Sequence, residues 1–103
     1  MRITLQTLQL LQVFMEDPAE PRYGLELARR TGLKSGTVYP ALGRLETDGW
    51  LASHVEPVDP AAIGRPARRL YVLTGPGCER ASAAVQRYRA APPAPRPLRG
   101  QLA

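Results

Sequence analysis

Between Lys34 and Arg44 the chain concentrates cations, hydroxyls and a phenol: Lys34, Ser35, Thr37, Tyr39 and Arg44, with Gly36 and Pro40 among them. These groups donate hydrogen bonds to phosphate oxygens and base edges. A second cluster, Arg65, Arg68 and Arg69, follows Gly64 and brackets Pro66. The chemistry on offer is recognition. Bond-making chemistry is poorly supplied, because His54 is the sole histidine and no motif sets a second ligand or a nucleophile beside it. Cys78 is the sole cysteine, which excludes an intrachain disulfide and a multi-cysteine zinc site. It reads as a small apolar contact, although a cysteine near a dimer seam could crosslink. No Walker-type loop or dinucleotide fingerprint occurs. The expectation is no enzyme, no metal and no cofactor.

These residues need a scaffold, and residues 28–49 supply its pattern. Ala28, Gly32, Leu33 and Val38 have the spacing of a helix-turn-helix. Gly32 is the turn residue that tolerates positive φ. Val38, Leu42 and Leu45 form one apolar stripe on the second helix. Its other face is expected to show Thr37, Tyr39, Ala41 and Arg44. An ordinary helical hairpin with a solvated polar face has the same pattern. Pro40 lacks an amide hydrogen and suits a first turn. The regular helix is therefore expected to start with Thr37 as N-cap and Pro40 at the third position. Lys34, Ser35 and Gly36 then form its approach, and Gly49 ends it.

The chain has 103 residues, a net charge of +5 and a sequence pI of about 10.1. One domain with a polyanionic partner fits that balance, nucleic acid before membrane. The apolar N-terminal run is broken by Gln6, Gln9 and Gln12. It is too short and too polar to span a bilayer, so the protein is expected in the cytoplasm.

A first helix capped by Thr4 spans residues 3–16, and its apolar arc (Leu5, Leu8, Leu11 and Met15 included) exceeds one core face. Such a helix either lies deep in one core or touches a partner as well. A second helix runs from about Tyr23 to Thr31. Residues 50–56 and 68–73 read as strands flanking a Pro- and Gly-rich loop, residues 57–67. Helix, turn, helix, strand, loop, strand is the order of a winged helix, with the loop as the wing. Thr74 caps a last helix from about Gly77 to Ala90, on which Cys78, Ala81, Val85 and Tyr88 form a thin seam. That seam could pack on the first helix of its own chain or of a second copy. The fold class is α+β and mostly helical. Residues 1–75 form the winged helix-turn-helix, 76–91 a dimerisation helix and 92–103 an extended Pro/Arg tail.

With these elements placed, the chain resembles PadR-type transcriptional regulators. The resemblance rests on Tyr23-Gly24, Gly32-Leu33, Ser35-Gly36-Thr37, Tyr39-Pro40-Ala41-Leu42, Arg44-Leu45-Glu46, Gly49-Trp50-Leu51, Gly64-Arg65-Pro66 and Leu73-Thr74 with Gly77. It implies a homodimer binding double-stranded DNA at an inverted-repeat operator, usually as a repressor. Some members of that family release DNA when a small molecule binds. The implied DNA contacts are Tyr23, Lys34, Ser35, Gly36, Thr37, Tyr39, Pro40, Arg44, Arg65, Arg68 and Arg69. The expected dimer contacts are Leu5, Leu8, Leu11, Met15, Cys78, Ala81, Val85 and Tyr88. Longer members carry a multi-helix dimerisation domain; this chain is similar to the shorter subfamily, whose single last helix packs across the dimer. Two other roles stay open at this level: a winged helix used for protein interaction, and an accessory DNA-binding factor of a mobile element. The retained cations favour DNA.

Overall fold

A computed structural model of the chain describes residues 2–90; the expected Pro/Arg tail lies outside the described residues. The elements are helix α1 (Leu5–Glu16), strand β1 (Arg22–Tyr23), helices α2 (Gly24–Thr31) and α3 (Ser35–Thr47), strand β2 (Leu51–Val55), a short helix α4 (Pro60–Ile63), strand β3 (Arg69–Leu73) and helix α5 (Gly75–Ala90). This is the winged helix expected from the sequence, with two additions, β1 and α4.

Apolar spacing sets the core. Leu10, Leu11 and Phe14 of α1 are fully buried, with Leu27 of α2, Val38, Leu42 and Leu45 of α3, and Leu51 of β2. Each such side chain contributes about 1.5–3 kcal/mol by leaving water. At the rim, the Arg30–Glu16 ion pair is exposed and screened by water, so it adds little. Apolar burial therefore decides how α1 packs. The wide arc of α1 is filled almost wholly within the chain, because α2, α3 and α5 all pack against it.

The sheet is antiparallel in the order β1-β3-β2, with Arg22 opposite Tyr71 and Ser53 also opposite Tyr71 on the other side. Two residues were too few to register as a strand by alternation, so β1 was not expected. Glu26 fixes this segment: its carboxylate accepts from Arg22 Nη1 at 2.9 Å and from the Tyr23 amide at 3.4 Å.

Helix α3 begins three residues earlier than Pro40 suggested. Lys34 is the N-cap, and its carbonyl accepts from the Thr37 and Val38 amides at 2.9 and 3.0 Å. Pro40 thus lies inside the helix. The bond it cannot make would go to the carbonyl of Gly36, an exposed residue, where water can serve instead. Ala41 is also corrected: it lies three residues after Val38, on the same face, and is buried rather than displayed.

Thr74 ties the last helix to the sheet. Its amide donates to the Trp50 carbonyl at 3.0 Å, its hydroxyl donates to Gly49 O at 2.6 Å, and the same oxygen accepts from the Gly77 amide at 2.9 Å. The helix turns on so tightly that a Cβ on Gly77 would stand 1.9 Å from the Trp50 carbonyl oxygen. The start at Gly75, two residues before expectation, follows from this cap. Helix α5 then puts Ala81, Ala84 and Val85 into the common core.

Gly77→Ala should therefore cost about 1–3 kcal/mol, the usual penalty of overpacking. Gly75→Ala is the control, since a Cβ there meets nothing within 4 Å. Urea unfolding of the two variants should show a clear loss for the first and near-wild-type stability for the second.

Candidate nucleic-acid interface

Gly32 ends α2 in the left-handed region at φ 75°, its amide donating to Ala28 O at 2.9 Å. A side chain is strained there, so a glycine sets the sharp turn into α3. Beyond the turn, Lys34, Ser35, Gly36, Thr37, Tyr39, Pro40 and Arg44 are all exposed. None of the ion pairs among the described residues involves Lys34 or Arg44. Both cations are therefore available to an outside anion. The positive end of the α3 dipole adds to the field at Ser35 and Gly36.

Tyr39 is half exposed, but one side of its ring is held. A Cβ built on Gly24 would lie 2.4 Å from Cε1, 2.6 Å from Cζ and 2.9 Å from the hydroxyl of Tyr39. The ring thus rests directly on the first residue of α2. Tyr23, next in line, carries the Arg68 guanidinium 4.0 Å from its ring centroid, a cation–π stack. An open cleft is lined by Tyr23, Gly24, Leu25, Tyr39 and the wing residues Arg65 to Arg69. It joins α3 to the wing.

The wing arginines are not alike. Arg68 stacks on Tyr23, and Arg69 donates to Ser53 Oγ at 3.0 Å. Ser53 in turn donates to Glu46 Oε2 of α3 at 2.5 Å, so the wing strand is laced to the end of α3. Arg65 is paired with Glu56, Nη1 to Oε1 at 2.8 Å and Nη2 to Oε2 at 3.1 Å. That hydrogen bonding holds the Glu56 carboxyl below the ordinary carboxylate range and raises Arg65 further. The loop itself contains α4, capped by Asp59, whose carboxylate accepts from the Ala61 amide at 3.0 Å.

All eleven expected DNA contacts fall on α3, the α2 start or the wing. The residues assigned to a dimer divide. Leu8, Leu11, Ala81 and Val85 are buried in the chain's own core. Leu5 and Tyr88 remain 56% and 52% exposed, and Met15 and Cys78 are partly exposed. The seam on α5 therefore packs chiefly on α1 of the same chain. The sequence reading had passed over Gly24, Glu46, Ser53 and Glu56 as functional positions. For Glu56 a signal existed: it ends one expected strand where Arg68 begins the next, so a hairpin must set them opposite each other. His54 is exposed on β2, and no group of three or more His, Cys, Asp or Glu among the described residues could hold a metal ion.

Residues 10–83 match the model of the transcriptional regulator PadR-like family. None of the curated proteins matches. Among solved structures, a PadR family transcription regulator of hypervirulent Clostridium difficile R20291 is 28% identical, with a TM-score of 0.63, covering 80% of this chain and 86% of its own. Disulfide-formed AbfR is 24% identical with a TM-score of 0.70, covering 88% of this chain. The DNA complex of S. aureus MepR is 18% identical with a TM-score of 0.66, covering 84% of this chain and 65% of its own. At those identities AbfR and MepR share the fold. The chain spans 61% of the length of AbfR and 54% of that of Lactococcus lactis ZitR.

Two measurements check this geometry. In Gly24→Ala the methyl group must push the Tyr39 ring outward, so the fold should persist while the tyrosine ring resonances shift and duplex binding weakens; unchanged resonances would contradict the contact. The Glu56 carboxyl, followed by NMR, should titrate below the ordinary range and rise toward it in Arg65→Ala, with the Arg68 amide and charge still holding it down. Because the folded value is the lower one, the contact contributes fully above the unfolded carboxylate value and is lost as pH falls through the folded value.

Proposed function

The chain belongs to the PadR-like family of transcriptional regulators, and from that premise we propose that it is a cytoplasmic, sequence-specific repressor that binds an inverted-repeat operator as a homodimer. The observation that carries the reading is the exposed cations and hydroxyls of α3 beside a cleft in which its Tyr39 meets the wing arginines. Helix α3 lies in the major groove, where Ser35, Thr37 and Arg44 reach base edges and Lys34 reaches a phosphate. The Ser35 and Gly36 amides offer a phosphate seat, and Pro40 packs beside the backbone. Tyr23, Tyr39, Arg65, Arg68 and Arg69 line the cleft that takes the flanking strand.

The MepR complex with DNA supports using this fold on a duplex. The protein works by recognition, since its lone exposed histidine and single cysteine provide no catalytic set. A homodimer would draw on Leu5, Met15, Cys78 and Tyr88, the members of the assigned set that the core leaves accessible. Because Val85 is already buried within the chain, Val85→Glu should unfold the monomer rather than split a dimer.

Selection of bound duplexes from a random pool tests the proposal. It should return an inverted repeat with half-site centres about 10 base pairs apart, or a multiple of that spacing. The logarithmic salt slope should be about −4 or steeper, at about −0.9 per phosphate neutralised. Light scattering at micromolar concentration should give twice the chain mass of 11.3 kDa. An asymmetric site, a flat salt response or a monomer mass would each overturn the corresponding part.

A further inference from the structure

Arg65 is engaged before any nucleic acid arrives. Its guanidinium meets the Glu56 carboxylate fork to fork, and Nη1 also donates to Pro66 O at 3.1 Å. A guanidinium makes the same bidentate contact with a phosphate. Glu56 is itself tied down. Its Oε1 accepts from the Arg68 amide at 3.3 Å, and its own amide donates to Arg68 O at 2.7 Å. The carboxylate is the more sheltered partner, 18% exposed against 35% for the arginine side chain. Arg65 borders the cleft beside Tyr23, Tyr39 and Arg68, and Glu56 does not line it.

We propose that Glu56 is an affinity-tuning residue of the wing: its carboxylate is an internal stand-in for a phosphate, so Arg65 contributes to DNA binding only where a phosphate is placed well enough to displace it, and then only by the surplus over the Glu56 contact. This rests on the DNA-binding reading above. A free arginine neutralises any phosphate within reach. A paired arginine gains only the difference between two similar charge-assisted contacts. On a random duplex the wing has no fixed register, and the exchange yields nothing. On a site that seats α3 in the groove, the wing is held at one distance from the backbone and the exchange can occur. Arg68 and Arg69 have no carboxylate in ion-pair contact among the described residues, so they act on any duplex. Glu56 thus weakens binding to a well-seated site by up to the full worth of the internal pair, and binding to a random duplex by no more than the poorer phosphate contact made there.

The test is the salt dependence of duplex affinity of the full chain, read by fluorescence anisotropy. The proteins are wild type, Glu56→Gln, Glu56→Ala, Arg65→Ala and the Glu56→Gln/Arg65→Ala double variant, each checked for a wild-type-like melting transition. Glu56→Ala is included because a glutamine oxygen can still accept one bond from Arg65. On a random duplex, both Glu56 variants should bind more tightly and steepen the slope by about 0.9 per subunit, one additional phosphate. Their advantage should then shrink about 3.5-fold per subunit, or about 12-fold for a dimer, between 50 and 200 mM salt on that slope. In the Arg65→Ala background, Glu56→Gln should change nothing. On a duplex selected by the wild-type protein, both Glu56 variants should also tighten binding, at least as much as on a random duplex, because the best-seated phosphate no longer competes with the carboxylate. Equal tightening with and without Arg65 would make Glu56 a mere negative charge and overturn the proposal. So would tightening on random duplexes alone, or weaker binding. If the wild type binds no duplex at low salt, the DNA-binding reading itself fails, and that outcome is distinct from all of these.

Discussion

The ring of Tyr39 lies so close to Gly24 that a single methyl group there would collide with three of its atoms. The arrangement of the exposed face depends on that contact. It brings the middle of α3 against the first residue of α2, which places Tyr23 beside the cleft. Tyr23 in turn offers its ring to Arg68, the residue that precedes β3. One absent side chain thus lets three separate segments share one surface. The lacing from Glu46 through Ser53 to Arg69 closes the same assembly from the far end of α3. A helix and a wing held at both ends can meet a duplex as a preorganised pair, which keeps down the ordering cost of binding.

Behind that face the chain supplies its own support. Helix α1 carries a broad leucine-rich arc, and α2, α3 and α5 share it. The last helix reaches α1 because Gly77 permits close passage over the Trp50 carbonyl. Consequently Ala81 and Val85 complete a core instead of facing outward. A second copy would have only the margins of these helices to grip, chiefly Leu5 and Tyr88.

Much of this could be read from the sequence where local chemistry is decisive. Thr4 does cap α1, accepting from the Thr7 amide at 3.1 Å. Gly32 and Gly49 do adopt positive φ at the helix ends. The two long strands and the wing fell where alternation and turn residues put them. What escaped was set by tertiary contact. Strand β1 is too short to show a period, and exists because β3 offers it an edge. Pro40 argued for a later helix start, but a single missing bond next to water is tolerated when Val38, Leu42 and Leu45 bury the other face. The arc of α1 suggested a partner because hydrophobicity cannot say whether the cover belongs to the same chain. The wing arginines looked equivalent as a charge run, and only the hairpin register separates Arg65, held by Glu56, from Arg68 and Arg69.

The central claim is that α3 and the wing act as one DNA-binding face. The most direct measurement is the change in backbone amide NMR shifts on titrating the chain with a duplex from the selected pool. The account predicts that changes concentrate at residues 23–25, 34–44 and 64–69. The groove between α1 and α5, lined by Gln12, Ser82, Gln86 and Arg89, should stay silent. Changes confined to that groove, with α3 and the wing unmoved, would contradict it.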